Sequence, residues 1–165
     1  MLRPDERTAP LDANSKRLIQ TGQFLAVLAA VAAALTFPRR AMPHAEMLFF
    51  AGVFTIITGS LLRRHCWKML GESFTGAVIV KPDQAVVERG AYRYIRHPSY
   101  TAGTLLLTGI GIALANWLSL STLLASSAVV YAYRVRVEEA ALVAVLGEPY
   151  RAYIARTKRF IPYLF

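Results

Sequence analysis

The sequence predicts an all-α integral membrane protein with four transmembrane helices and a cytosolic C-terminal helical segment. Of its 165 residues, 55% are hydrophobic, which is unusual for a soluble domain. The apolar residues also collect into uncharged runs long enough to cross a hydrocarbon core of roughly 30 Å at about 1.5 Å per helical residue. The basic residues lie outside these runs. We therefore predict a single membrane domain over residues 1–165.

The uncharged runs define the predicted spans. Residues 18–37 form a run of 20 and residues 47–62 a run of 16, which we extend back to His44. The run 98–133 has 36 residues, too many for one crossing, so we divide it at Ala115, Asn116 and Trp117. An amide followed by an amphipathic ring suits a turn at the membrane interface. The predicted spans are residues 18–37, 44–62, 98–115 and 117–134.

The distribution of Lys and Arg predicts the orientation of these spans. With four spans, 17 of the 19 basic residues fall on one side of the membrane, and the positive-inside rule makes that side cytosolic. Both termini, the loop 63–97 and the tail 135–165 are then cytosolic, and we expect the plasma membrane of a prokaryote. The net charge of +9 is thereby explained by topology, and we expect no nucleic-acid partner. We see no removable signal peptide in residues 1–16, so the first span should act as its own insertion signal.

Local signals predict structure within the cytosolic parts. Residues 63–70 should continue the second helix until Gly71, and residues 77–80 form a short β-like run. Gly147 and Pro149 should end the fourth helix, with one more short helix over residues 150–158. Cys66 is the single cysteine, so no disulfide is expected. The neighbouring His65 and Cys66 lack further ligands at suitable spacing, and we predict no metal site.

The motif GAYRYIRHPSYTAG, residues 90–103, places a dense polar cluster directly before the third span. Pro98 is favoured in the first turn of a helix and disfavours helical geometry at His97, so the span should begin at Pro98. The first backbone N–H groups of that helix, those of Ser99, Tyr100 and Thr101, could then hold a carboxylate. The alternative is that His97 and Tyr100 only anchor a span at the interface.

A second polar group lies in YRVRVEEAALVAVLGEPY, residues 133–150. Arg134 and Glu138 are four apart and share a helix face, whereas Glu139 is turned about 100° away. An ordinary surface ion pair is the alternative to a functional role. Antiparallel spans of similar length return the chain to its starting height, so His97, Arg134 and Glu138 should meet at one membrane face.

Two further predictions concern packing. Gly109 and Ala113 form a small-xxx-small pair, typical of a helix packing face. Tyr150 and Tyr153 are interpreted as interface anchors, with a role in covering a pocket as the alternative.

Both motifs, together with Asn116 between them, resemble the isoprenylcysteine carboxyl methyltransferase family, integral membrane enzymes that use S-adenosylmethionine. The resemblance covers about residues 68–162. It implies that Arg134 faces the methyl acceptor and that Glu138 holds the cofactor, which makes these two the catalytic candidates. It also implies a cofactor pocket lined by Gln84, Ala85, Val86, Val87, Tyr92, His97, Pro98, Ser99, Tyr100 and Glu138.

The implied reaction is methyl transfer to a lipophilic acceptor at the membrane face, most simply the carboxylate of an isoprenylcysteine-like substrate. A carboxylate is already ionised near neutral pH, so the reaction needs in-line approach and removal of water rather than a general base. A phospholipid or other small-lipid amine acceptor would need a base, for which Glu138, Glu139 or His97 could serve. A nicotinamide-dependent membrane reductase also stays open, as does a non-catalytic membrane protein that binds lipid or a partner.

Overall fold

The structure, a computed structural model, describes residues 13–71 and 85–161. In these residues the order of helices is α1 (Ala13–Thr36), α2 (Ala45–Leu70), α3 (Pro98–Ala113), α4 (Trp117–Leu146) and α5 (Glu148–Arg156). Short 3-10 turns occur at Pro38–Arg40 and Gly90–Arg93. The described residues contain isolated β-bridges and no strand, so the all-α prediction is confirmed. The β-like run predicted at 77–80 lies outside the described residues.

The prediction of four membrane spans is wrong in number. Among the described residues, three helical segments are long and apolar enough to cross a membrane: Arg17–Thr36, Ala45–Leu70 and Trp117–Leu146. The predicted third span is α3, which has 16 residues. At about 1.5 Å per residue its length is about 24 Å, less than a hydrocarbon core of roughly 30 Å.

The ends of the helices follow the predicted stop signals. α2 continues to Leu70, and Gly71 follows with a φ of 54°. α4 runs on from the apolar segment to Leu146, and Gly147 then separates it from α5 with a φ of 62°. Both glycines adopt the left-handed region that side chains disfavour, which explains why the helices stop there. The short helix predicted at 150–158 is present two residues earlier.

α2 and α3 are antiparallel and pack through glycines. A Cβ atom on Gly52 would lie 2.6 Å from the Gly109 carbonyl oxygen and 2.7 Å from Ala113 Cα. One on Gly59 would lie 2.8 Å from Leu106 N. Such distances show that the two backbones touch, so the packing role predicted for Gly109 and Ala113 is confirmed.

The turn between α3 and α4 is held by Asn116. Its Oδ1 caps α4 by accepting from Leu118 N (3.0 Å) and Ser119 N (3.2 Å), and its Nδ2 donates to the Phe37 carbonyl (3.1 Å). Asn116 also forms an antiparallel bridge with Ala41. The predicted break in the long apolar run is therefore confirmed. The α1–α2 connection and the α3–α4 turn share one end of the bundle, so the first turn of α3 lies at the other end.

Candidate functional site

The first turn of α3 begins as the sequence predicts, with His97 at the N-cap and Pro98 as the first helical residue. Both are buried, and the exposed fraction of His97 is 4%. The amides of Tyr100 and Thr101 donate to the His97 carbonyl, at 3.0 and 3.2 Å. Two of the three N–H groups predicted to be available to a carboxylate are thus already bonded, which makes the side chains the candidate binding groups.

Three aromatic rings form a stack between α3 and α4. The His97 and Tyr100 rings lie 5.6 Å apart with planes inclined by 21°. The Tyr100 and Tyr131 rings lie 4.9 Å apart at 25°. One helical turn from the stacked rings, toward the α3–α4 turn, Thr104 and Ser127 share a hydrogen bond of 2.7 Å. Polar contacts therefore continue along the interface of the two helices.

Tyr100 brings the two predicted catalytic residues together. Its hydroxyl donates to Glu138 Oε2 at 2.6 Å, and Arg134 Nε donates to the same hydroxyl at 3.3 Å. Arg134 Nε and Glu138 Oε2 are 3.9 Å apart. The Arg134 side chain is 5% exposed and that of Glu138 is 30% exposed. The pair is therefore more than a surface ion pair, since the guanidinium is buried and the carboxylate reaches solvent.

The hydrogen bond of His97 goes to Glu139 rather than to Glu138. His97 Nε2 lies 3.2 Å from Glu139 Oε1, and Arg96 Nε donates to the same oxygen at 2.8 Å. Arg159 donates to Glu139 Oε2 from Nε (3.1 Å) and Nη2 (2.9 Å). The side chain that the sequence placed about 100° from the site thus contacts one of the predicted site residues.

Two residues that the sequence-based prediction missed, Arg63 and Tyr131, lie beside Gly103. A Cβ atom on Gly103 would meet Tyr131 Oη and would lie 3.0 Å from Arg63 Nη1. The Arg63 guanidinium lies over the Trp67 ring, 5.0 Å from its centre. Within residues 13–71 and 85–161, neither Tyr131 Oη nor Arg63 Nε has a hydrogen-bond partner, although both atoms are buried. Buried donors of this kind are suited to a bound polar group.

The tyrosines interpreted as interface anchors are instead buried. Tyr150 is 4% exposed and Tyr153 is 3% exposed, and the Tyr153 hydroxyl donates to the Tyr92 carbonyl at 2.6 Å. Burial raises the pKa of Tyr92 and of Tyr150, and the Glu139 and Glu138 carboxylates raise the pKa of Tyr150 further. Burial, followed by the charge of Glu88, raises the pKa of Tyr153 to about 12. These phenols therefore stay neutral, and Tyr153 joins α5 to the 3-10 turn before α3.

The remaining predicted pocket residues are placed less centrally. Ser99 is half-buried in the first turn of α3, and Tyr92 is buried in the 3-10 turn before it. Ala85 is exposed, while Val86 and Val87 are half-buried. Gln84 lies outside the described residues.

The missed residues differ in whether the sequence could have revealed them. Tyr131 precedes Arg134 by three positions and shares its face of α4, so helical periodicity could have found it. Arg96 and Arg159 are brought to Glu139 by long-range folding, for which the sequence offers no local signal.

Comparison with known proteins identifies a family that matches this chain. The sequence model of the isoprenylcysteine carboxyl methyltransferase (ICMT) family matches residues 51–144, which include α3, the stacked rings and both glutamates. The chain belongs to the isoprenylcysteine carboxyl methyltransferase family. The resemblance stated from the two motifs is confirmed.

Individual relatives agree with this assignment. The chain is 34% identical over 108 residues to the protein-S-isoprenylcysteine O-methyltransferase of Schizosaccharomyces pombe, covering 63% of this chain and 45% of the relative. It is 29% identical over 136 residues to protein-S-isoprenylcysteine O-methyltransferase B of Arabidopsis thaliana, covering 73% of this chain and 68% of the relative. Both relatives are eukaryotic, so they lend no support to the expected prokaryotic membrane.

The fold is also that of an ICMT. The structure of the eukaryotic intramembrane Ras methyltransferase ICMT superposes with a TM-score of 0.68 at 23% identity, covering 92% of this chain and 53% of that chain. Together with the apolar helices, this match shows that the protein is an integral membrane protein. The chain spans about half the length of the S. pombe relative and of the solved structure.

Proposed function

We propose that the protein transfers a methyl group from S-adenosylmethionine to the carboxylate of a lipophilic, isoprenylcysteine-like acceptor. The observation that carries this proposal is the cluster of Tyr100, Arg134 and Glu138, in which one phenol joins a buried cation to a partly exposed anion. The family membership and the names of the relatives support the reaction type.

The side chains around Tyr100 fit the cofactor. S-adenosylmethionine carries an ammonium group, ribose hydroxyls, a sulfonium and an aromatic base. Glu138, with 30% of its side chain exposed, can accept hydrogen bonds from the ammonium or the hydroxyls. The stacked rings of His97, Tyr100 and Tyr131 supply aromatic surface, which suits both a base and a cationic sulfur. We propose that His97, Tyr100 and Glu138 hold the cofactor, with Tyr92, Pro98, Ser99 and the segment from Gln84 to Val87 around it.

The acceptor carboxylate is assigned to the cationic side of the cluster. Arg134 is buried, and a guanidinium binds a carboxylate with two parallel hydrogen bonds. The Arg63 guanidinium and Tyr131 Oη lie beside Gly103 and add buried donors. A carboxylate near Arg134 is held ionised, so no general base is required.

The reaction gains from a dry site because opposite charges are consumed. When bound, S-adenosylmethionine supplies an electrophilic methyl group, and the sulfur retains the electron pair of the broken bond as the new C–O bond forms. The role of the protein is to align the two reactants and to exclude water. Burial of His97, Arg134 and Tyr131 provides such an environment at the end of the helical bundle.

The orientation in the membrane is proposed from the basic residues. The end of the bundle that carries Arg63, Arg96, Arg134 and Arg159 is the basic end, so the positive-inside rule assigns it to the cytosol. Although α3 is too short for a full crossing, it carries the chain between the two ends of the bundle. We therefore place both termini and α5 on the cytosolic side, and a lipid tail reaches the site laterally from the bilayer.

Calorimetry and an assay on matched acceptors test the proposal. Detergent-purified protein should release heat with S-adenosylhomocysteine and none with a reduced nicotinamide nucleotide. It should methylate N-acetyl-S-farnesylcysteine but not the carboxamide of the same compound, which lacks the nucleophile. Methylation of the amine of phosphatidylethanolamine, or binding of the nicotinamide nucleotide in place of S-adenosylhomocysteine, would overturn it.

A further inference from the structure

The chain after α5 passes directly beside the start of α3. We name residues 157–160 the C-terminal strap. Lys158 pairs with Ile95 in a parallel bridge, and the amides of Arg96 and His97 donate to the Lys158 and Arg159 carbonyls at 2.8 and 3.0 Å. Lys158 N returns a bond to the Tyr94 carbonyl at 3.2 Å. The backbone before α3 is thus held by a segment about 60 residues further along the chain.

Side chains extend this contact into α3. Thr101 Oγ1 donates to the Phe160 carbonyl at 2.9 Å, and the Phe160 ring lies 6.1 Å from the His97 ring. The Tyr100 ring is a second aromatic neighbour of His97 among the described residues. His97 is therefore fixed between a ring of the C-terminal strap and a ring of α3.

Glu139 connects the C-terminal strap to the segment that it covers. One carboxylate oxygen accepts from Arg96 and His97, which precede α3, and the other accepts from Arg159 of the strap. Arg96 also donates to the carbonyls of Ile154 in α5 (3.1 Å) and of Thr157 in the C-terminal strap. The Arg96 side chain is 8% exposed and that of Glu139 is 9% exposed, so water competes little for the bond between these two residues.

We infer that Glu139 is a positioning residue for the cofactor site: with Arg96 and Arg159 it clamps the C-terminal strap and fixes the orientation of His97. This inference rests on the proposed function in so far as His97 lines the cofactor pocket. Because a carboxylate only accepts, His97 Nε2 is the donor in its bond to Glu139. Glu138 and Glu139 are adjacent in sequence but then have separate roles. Glu138 contacts the ligand, and Glu139 orients the His97 side chain.

Arg159→Gln provides the main test. Its side chain is 44% exposed, so the variant should fold, yet it loses the pair that joins the strap to Glu139. The matched control is Arg156→Gln, an exposed arginine of the same region whose ion pair is with Glu88 instead. Hydrogen exchange at the amides of Arg96 and His97, measured without ligand, should quicken in Arg159→Gln and stay unchanged in Arg156→Gln. The dissociation constant for S-adenosylhomocysteine should rise about tenfold in the first variant and remain unchanged in the second.

A double-mutant cycle separates positioning from a merely structural role. Glu139→Gln should weaken S-adenosylhomocysteine binding about tenfold in the wild-type background and less than about twofold in a His97→Ala background, because coupled residues are not additive. Equal weakening in both backgrounds, or wild-type affinity in Arg159→Gln and Glu139→Gln, would overturn the inference while leaving the proposed function intact. If wild-type protein does not bind S-adenosylhomocysteine, the proposed function fails. Independently of ligand binding, unchanged hydrogen exchange at the Arg96 and His97 amides in Arg159→Gln would show that the clamp does not exist.

Discussion

The Tyr100 hydroxyl lies 2.6 Å from Glu138 Oε2, and this hydrogen bond joins the first turn of α3 to the polar part of α4. The two residues are 38 positions apart, and the turn at Asn116 brings them together. Arg134 Nε donates to the same hydroxyl, so the phenol bridges the guanidinium and the Glu138 carboxylate, whose Nε and Oε2 atoms are 3.9 Å apart. The cation and the anion can thereby meet different groups of the ligands.

Tyr100→Phe should therefore damage the cofactor site without removing an aromatic ring from the stack. A hydrogen bond to a charged group contributes about 1.5–3 kcal/mol, so S-adenosylhomocysteine affinity should fall roughly 10- to 100-fold. Titration calorimetry measures this change. Tyr133→Phe is the control, because Tyr133 is 46% exposed on α4. Wild-type affinity in Tyr100→Phe would remove the phenol from the site.

Arg134 and Glu138 should separate turnover from cofactor binding. Glu138→Ala is expected to abolish S-adenosylhomocysteine binding, since it deletes the partly exposed carboxylate. Arg134→Ala should retain binding and lose methyl transfer, because its guanidinium is assigned to the acceptor. Calorimetry and the N-acetyl-S-farnesylcysteine assay report the two effects, with exposed Arg136→Ala as the control. If both variants transfer methyl groups at the normal rate, the assignment of the site is wrong.

Gly52→Ala should destabilise the bundle. Its Cβ atom would meet backbone atoms of α3, including the Gly109 carbonyl oxygen at 2.6 Å, and backbone cannot move aside as a flexible side chain does. Overpacking costs about 1–3 kcal/mol, which should lower the melting temperature in detergent by several degrees. Gly22→Ala is the matched control, because its Cβ atom would meet Val130 Cγ2 at an ordinary 3.4 Å. Equal melting temperatures for the two variants would show that α2 and α3 are not in close contact.

Alkaline pH should destabilise the protein partly through Tyr153. Burial, then the Glu88 carboxylate, raises the pKa of Tyr153 from 10.0 to about 12, so the folded state keeps the phenol proton that the unfolded state loses first. This contribution to stability is complete below pH 10 and is lost as the pH rises toward 12. Melting temperatures measured between these values should fall less steeply for Tyr153→Phe than for wild type. Tyr94→Phe, at an exposed position, should leave the slope unchanged, and an unaltered slope in Tyr153→Phe would contradict the burial of that phenol.

Much of the helical framework could be predicted from the sequence because its signals are local. Pro98 starts α3, Gly71 and Gly147 end α2 and α4, and Asn116 divides the apolar run by capping α4. Each of these acts through backbone geometry or hydrogen bonds within a few residues. The number of crossings was harder to predict, because uncharged length does not reveal that the helix from Pro98 ends after 16 residues.

The contacts of the candidate site also divide into those that local sequence signals predict and those that they do not. Helical periodicity and the family motifs pointed to Arg134, Glu138, His97 and Tyr100, and the antiparallel packing of α3 against the first part of α4 brings them to one end of the bundle. Local spacing could not show that His97 bonds to Glu139 or that Tyr150 and Tyr153 are buried. Those contacts depend on where α5 and residues 157–160 return.

The sequence by itself determined an all-helical membrane protein of the isoprenylcysteine carboxyl methyltransferase family, because hydropathy, helix signals and motif spacing are properties of short segments. The tertiary structure decided which carboxylate forms a hydrogen bond or ion pair with each arginine and with His97. It also decided which tyrosines are buried. Arg96, Glu139 and Arg159 lie far apart in the chain, and only the packing of the C-terminal segment against α3 and α4 brings their charges within hydrogen-bonding distance.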